Sequence, residues 1–226
     1  MSWVNGTVIL SLPLAGRSLV QNSPARRVPS HGTDLMASTY AIDLVPVDSS
    51  GRSAARRDWR TMLAAEPPER FVGFGAPVLA PAGGTVVHVH DGEPDHEARR
   101  SQLALVPYML GQAGRLRRGA AGLAGNYVVL QLEDRRGFVV LAHLQRGSIR
   151  VGQGDAVRPG QTLAACGNSG NSTEPHLHVQ AMDQADPMSA AGVPIGFARF
   201  LEHRGRATRL VEYGLPAEGS IIEPAG

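Results

Sequence analysis

The segment Gly167-Asn168-Ser169-Gly170-Asn171-Ser172-Thr173-Glu174-Pro175-His176-Leu177-His178-Val179 is a turn-rich lead-in that ends in His-Leu-His. Alternate residues of a strand share a face, so a strand here puts His176 and His178 on one side with Cα atoms about 6.5 Å apart. Two imidazoles then converge on one spot. Imidazole serves as a metal ligand or as an acid or base near neutral pH, whereas a strand histidine that does neither lies on a solvated face. Asp43 is the next unusual residue, because it interrupts the apolar run Tyr40-Ala41-Ile42-Asp43-Leu44-Val45-Pro46-Val47. A buried carboxylate persists only if it is paired, hydrogen-bonded or metal-bound. His31, in Ser30-His31-Gly32, and His143, near the end of Phe138-Val139-Val140-Leu141-Ala142-His143-Leu144, complete the set. An open catalytic zinc site takes three protein ligands and a water. The chain offers His31, Asp43 and one of the pair His176 and His178. It leaves His143 and the other member of the pair to act on the water and on a developing oxyanion, so no nucleophilic Ser or Cys is required.

Other reactive residue types are assigned to structure. A second His-x-His, His88 and His90, alternates with Val87 and Val89 but has no nearby acid or glycine-rich lead-in, and is expected on the outward face of a half-buried strand. The single cysteine, Cys166, excludes an internal disulfide and a multi-Cys zinc site, and reads as a small buried hydrophobe.

The elements that must position these residues are mainly strands. Of 226 residues, 27 are Gly and 16 Pro, which points to many turns and short strands around one hydrophobic centre. Extended segments are expected from Asn5 to Leu14 and Tyr40 to Val47, with Ala15 to Pro29 as a loop between them. Pro77-Val78-Leu79-Ala80-Pro81-Ala82-Gly83-Gly84-Thr85-Val86-Val87-His88-Val89-His90 reads as two strands joined by a Gly-Gly turn. Asn126 to Leu132 and Phe138 to Leu144 read as a hairpin, and short strands between Ile149 and Cys166 feed the His-Leu-His motif. Ser49 to Arg70 reads as a polar loop with room for a short helix. The Leu-, Ala- and Arg-rich stretch from Ser101 to Ala124 has helical spacing, although Pro107 and Gly111 interrupt it. The division expected is 1–30 as an N-terminal strand and loop, 31–200 as the main domain with a helical insertion at about 93–124, and 201–226 as a tail.

The formal net charge is +2 and every basic residue is Arg. The clusters Arg56-Arg57, Arg99-Arg100 and Arg115 to Arg118 have no aromatic platform beside them, so no nucleic-acid partner is expected. No run of 18 apolar residues exists, so no membrane span is expected. Val8 to Leu14 lacks a basic lead and an Ala-x-Ala-like site. The location expected for the chain as written is cytoplasmic, or the cell envelope or exterior if the N-terminus is incomplete or another export route is used.

Five motifs in order resemble the M23 metallopeptidases, the lysostaphin-like or LytM-like endopeptidases. They are His31 with Tyr-Ala-Ile-Asp43-Leu, Pro77 through Val86, Gly125-Asn126-Tyr127-Val128-Val129, Ala142-His143-Leu144, and Gly167 through His178. The resemblance implies a mostly β, antiparallel β-sheet domain of the lysostaphin-like, duplicated-hybrid-motif-related type, here with a helical insertion. It implies zinc as cofactor, His31, Asp43 and His178 as ligands, His143 and His176 as catalytic residues, and a peptide or peptidoglycan substrate. One departure stands out. The first His and the Asp are commonly four residues apart in that family, and here they are twelve apart, as in a branch with a longer gap; Asp43 is preferred to Asp34, which lies in a polar loop. A histidine phosphocarrier of the glucose-type IIA kind, which also has facing histidines, and a catalytically silent binding member are the alternatives. Oligomeric state is not indicated by the sequence.

Overall fold

Valine, leucine and isoleucine dominate the segments that become strands, as suits a pleated, half-buried surface. The computed structural model of the chain describes residues 3–4, 6–54, 65–98, 119–134 and 137–226. The early strands are β1 (Trp3–Val4), β2 (Thr7–Leu10), β3 (Ser18–Gln21), β4 (Ile42–Pro46), β5 (Pro77–Leu79) and β6 (Gly84–His90). The hairpin follows as β7 (Asn126–Leu132) and β8 (Phe138–Leu144), at the residues expected of it, then β9 (Ala156–Val157), β10 (Thr162–Ala165) and β11 (Leu177–Met182). The chain closes with β12 (Gly192–Val193), β13 (Ile195–Arg204), β14 (Ala207–Gly214) and β15 (Ile221–Pro224). Among the described residues one α-helix, α1 (Gly119–Ala124), and 3-10 turns at Leu35–Tyr40 and Pro68–Arg70 accompany them.

The fold is mostly β, as expected. One large sheet has the order β1-β2-β13-β15-β3-β4-β11-β8-β7-β6-β9, with β12 on β11 and β14 on β13, while β10 and β5 pair separately. Its pairs are antiparallel except that β2 runs parallel to β13. On the ribbon β4-β11-β8-β7, the register sets Leu177 opposite Leu44, Val179 opposite Ile42 and Leu141, and Leu130 opposite Val139. These residues share one face and join the large apolar core with Phe197, Phe200, Val78 and Leu163. Since Val78 and Leu163 come from β5 and β10, that pair packs against the same core. The opposite face of the ribbon carries His178 opposite both Asp43 and Ala142, and Gln180 opposite Val140. A smaller apolar cluster of Val129, Val140, Ala142 and Met182 floors it.

Several expectations are corrected. The Gly83-Gly84 step is not a hairpin turn: β5 pairs with β10, and β6 with β7 and β9. A Cβ on Gly84 would collide with the carbonyl of Gln131, so glycine here permits a close backbone pass rather than a turn. Ala15 to Pro29 is not all loop, because Ser18–Gln21 forms β3 between β4 and β15. Nor are residues 201–226 loose: β13 runs through Arg204, and β14 and β15 both pair with it. The apolar anchors Phe197 and Phe200 were visible in sequence, but they are three residues apart rather than two, and the polar run Glu202-His203-Arg204 after them masked a long strand. Of the expected helical insertion, residues 99–118 lie outside the described residues, as do all three Arg clusters. Its end is helical as α1, and Gly125, at φ +66°, closes that helix by donating from its N–H to the Ala121 carbonyl. Of Ser49 to Arg70, residues 55–64 lie outside the described residues, and the described end holds the 3-10 turn.

Candidate metal centre

Asp43 and His178 are register partners on adjacent antiparallel strands, so their side chains meet without any departure from regular pairing. His178 Nδ1 lies 2.9 Å from Asp43 Oδ1. His31, on the loop before β4, brings Nε2 to 3.1 Å from Asp43 Oδ2. One potential ligand atom from each of these three residues lies within 4.8 Å of the others, the only such group among the described residues. His176 precedes β11 by one residue and sets Nε2 at 3.6 Å from Asp43 Oδ1. The two histidines of the motif therefore do face one carboxylate, although only His178 is in the strand. Asp34 is exposed at the start of the 3-10 turn and takes no part.

His143 reaches the same place by an exception to alternation. Leu141 faces the core and Ala142 the site, so a regular strand would turn His143 into the core. Instead the β7–β8 register slips between Asn126 and Val128, and His143 adopts φ +60°. A bulge of this kind re-aims a side chain. The His143 ring ends 4.7 Å from that of His176 and 5.8 Å from that of His178, centroid to centroid. A left-handed backbone at a bulky residue costs about 1–2 kcal/mol, a strain that concentrates at functional positions.

Each imidazole is held by one nitrogen. His143 Nδ1 donates to the Ser169 carbonyl at 2.9 Å, and His176 Nδ1 to the Glu174 carbonyl at 2.8 Å. His31 Nδ1 meets Ser30 Oγ at 2.9 Å, and His178 Nε2 meets Gln180 Oε1 at 2.9 Å. The second nitrogen of each ring is left for the centre. That arrangement fits a metal: two imidazole nitrogens and a carboxylate oxygen converge, and each of the two rings has an outer partner of the sort that fixes ligating histidines.

The electrostatics agree. Burial alone would raise the Asp43 carboxyl, yet the imidazoles of His176, His31 and His178 packed against it hold it well below the usual range. Asn22 Nδ2 adds a hydrogen bond of 2.8 Å to its Oδ2. Burial, with His176 and His178 nearby, pushes His143 well below the ordinary imidazole value, against the opposing influence of Asp43 and the Ser169 carbonyl. His178 moves the other way: burial opposes protonation, but the Asp43 hydrogen bond and charge and the Gln180 oxygen prevail.

Sequence reasoning passed over the residues that support these rings. Gln180 shares a strand face with His178 by simple alternation, a signal that was available. Asn126 and Ser169 belong to motifs already noted, but their task becomes visible only in three dimensions. The Asn126 amide donates to the carbonyls of Glu93 and Leu144 and accepts from the N–H groups of Gly92 and Glu93. Ser169 Oγ donates to the Leu144 carbonyl and accepts from the Asn126 N–H. Together they hold the Leu144 carbonyl, just after the His143 bulge, against the start of β7. His88 and His90 stack on Tyr127, at 5.3 and 5.7 Å between centroids, outside the centre. Cys166 is fully buried in the large core, where burial raises its thiol far above the usual range.

The chain is similar to known proteins in keeping with this geometry. A metalloprotease of Haemophilus influenzae, described as uncharacterized, is 34% identical over 117 residues, which is 50% of this chain and 18% of that protein. The peptidoglycan DD-endopeptidase ShyA of Vibrio cholerae is 26% identical over 210 residues, 83% of this chain and 42% of its own length. The chain thus spans less than half the length of either relative. The catalytic domain of lysostaphin from Staphylococcus simulans aligns with a TM-score of 0.38 at 20% identity, over 68% of this chain and 74% of that domain. The model of peptidase family M23 matches residues 110–190, which contain His143, His176 and His178. The stretch that matches peptidase family M23 thus carries the His-Leu and His-Leu-His motifs that lie at the centre described above.

Proposed function

We propose that the chain is a zinc metallopeptidase that hydrolyses peptide bonds, with peptidoglycan cross-links as its substrate. The observation that carries this reading is the convergence of His31, Asp43 and His178 with His143 and His176 beside them. Zinc held by His31, Asp43 and His178 would supply Lewis acidity, polarising a carbonyl and acidifying a water. The chain's own groups do the proton work. His143 is neutral at physiological pH because its environment disfavours the charged ring, so Nε2 can take a proton from the attacking water and return it to the departing amine. His176, fixed through Nδ1, turns the lone pair of Nε2 beside Asp43, where it can accept a hydrogen bond from the attacking water and, once it has taken that proton, donate to the oxygen on which negative charge develops. Asp43 keeps its negative charge throughout, as its low carboxyl value requires.

The V. cholerae relative supports peptidoglycan as the substrate class. Peptidoglycan lies outside the cytosol, so this reading carries export of the chain with it. A phosphocarrier would need two facing imidazoles but no carboxylate between its histidines, and Asp43 lies at the middle of this cluster. A silent binding member is disfavoured by the full set of five residues. His178→Ala should abolish both zinc retention and release of soluble fragments from purified peptidoglycan. His143→Asn should keep zinc and slow hydrolysis by about 10²–10⁴-fold, the usual scale for losing an acid–base group. Cleavage by metal-free protein would end the proposal.

A further inference from the structure

The long gap between His31 and Asp43 is filled by residues 32–42, which do more than span it. Two of the backbone carbonyls there terminate the hydrogen-bond chains that reach the two ligand histidines. Ser30 Oγ donates to the Ser38 carbonyl at 3.2 Å, which uses its only proton. The same oxygen then can only accept from His31 Nδ1, 2.9 Å away, so that nitrogen carries the ring proton and Nε2 turns its lone pair toward Asp43. On the other side, Gln180 Nε2 donates to the Met36 carbonyl at 2.6 Å. Reversing that amide would set two oxygens against each other, so Oε1 must face His178 Nε2. His178 then bears its proton on Nε2 and offers Nδ1 to the Asp43 side.

The loop is itself secured. Ser38 Oγ lies within hydrogen-bond distance of the carbonyls of Thr33 and Leu35. Met36 and Ala37 adopt φ values of +56° and +61°, a left-handed pair that non-glycine residues rarely take. Ala37 is buried, and its carbonyl lies so close to β12 that a Cβ on Gly192 would come within 2.7 Å of it. This packing holds the Met36 and Ser38 carbonyls where the two chains of hydrogen bonds end.

We propose that the loop between His31 and Asp43 is a tautomer clamp. Acting through the positioning residues Ser30 and Gln180, it keeps His31 protonated on Nδ1 and His178 protonated on Nε2, so that both rings present a lone pair to the metal. The proposal rests on the metal-centre reading above, but it can be tested separately from it. In the full chain, zinc affinity is measured by competition with a chelator for the parent protein, Gln180→Met, Gln180→Glu and Ser30→Ala. Metal-free melting curves report whether each variant folds.

Gln180→Met, close in shape but without the acceptor, and Ser30→Ala should each weaken zinc binding about 10–100-fold, the usual scale for an outer partner of a ligating histidine. Gln180→Glu keeps an acceptor for His178 but sets an oxygen against the Met36 carbonyl, so it should recover only part of the affinity lost in Gln180→Met; full recovery would show that the bond to the loop is not needed and overturn the clamp. Long-range nitrogen–proton NMR of the metal-free parent protein, above the imidazole titration range, should show Nδ1–H on His31 and Nε2–H on His178. Unchanged affinity in both Gln180→Met and Ser30→Ala, or the opposite tautomer on either ring, overturns the clamp. A parent protein that takes no zinc overturns the metal centre instead, and the NMR tautomers then decide the clamp alone.

Discussion

Leu141 and Ala142 are neighbours on β8 that look in opposite directions, and the two faces they belong to are made by different means. The core face follows from alternation alone: Ile42, Leu44, Leu141, Leu177 and Val179 are each two residues or one strand from the next, and all are buried in the large apolar cluster. The site face also begins with alternation, since Asp43, His178 and Gln180 hold regular register positions. It is completed by an irregularity, the β7–β8 bulge that turns His143 away from the core. A sheet can thus specify its stability with a repeating pattern while its chemistry depends on one local break, because a side-chain period of two otherwise commits every residue to a fixed face.

Perturbing the regular face should produce the largest change in stability. Leu141→Ala removes a fully buried side chain from the core and should cost about 2–5 kcal/mol in urea unfolding. The protein that remains folded should still hold zinc, because no ligand is touched; loss of zinc from folded Leu141→Ala would show that the faces are not independent. A smaller effect is expected at Gly192, behind the ligand loop. Gly192→Ala forces a Cβ toward the Ala37 carbonyl, and overpacking of this sort costs about 1–3 kcal/mol. If the loop positions the ligands, zinc affinity should fall along with stability, whereas a change in stability alone would mark the loop as packing only.

The gentlest probe is acid. In the metal-free protein His143 has a value below that of the unfolded chain, so the unfolded state binds the extra proton. Its contribution to stability is intact above about pH 6.5 and is lost as pH falls toward the folded value. Asp43 adds a loss of the same sign below its unfolded value of 3.8. His178 acts oppositely, contributing fully below 6.5 and losing that contribution as pH rises through its elevated folded value. His143→Asn, whose side chain tolerates a left-handed backbone, should therefore flatten the first part of the acid arm in melting experiments. An unchanged slope would place the proton uptake elsewhere.

How much of this was legible follows the same division. The hairpin β7–β8 and the strand around Asp43 could be read because their apolar residues repeat or because a single acid breaks a run. The five residues of the centre were named from motifs, but their meeting depends on contacts between segments far apart in sequence. Nothing local in Ala142-His143-Leu144 announces a bulge, since the slip is defined by the partner strand. Ser18–Gln21 looked like loop because it is short and flanked by polar residues, and the strands after residue 200 because β14 is exposed along most of its length. The Gly83-Gly84 step was misread because glycine permits both a tight turn and a close backbone pass, and only the neighbouring strand distinguishes them. The long gap after His31 looked like a departure to be tolerated; in the folded chain it supplies the carbonyls behind the His31 and His178 rings.

The central claim is that His31, Asp43 and His178 hold a zinc ion, and metal analysis of the purified full chain beside Asp43→Ala tests it most directly. One zinc per chain in the parent protein and none in Asp43→Ala, with both folded, is the predicted result. Zinc retained in full by Asp43→Ala, or a parent protein that cleaves peptide without metal, would contradict it.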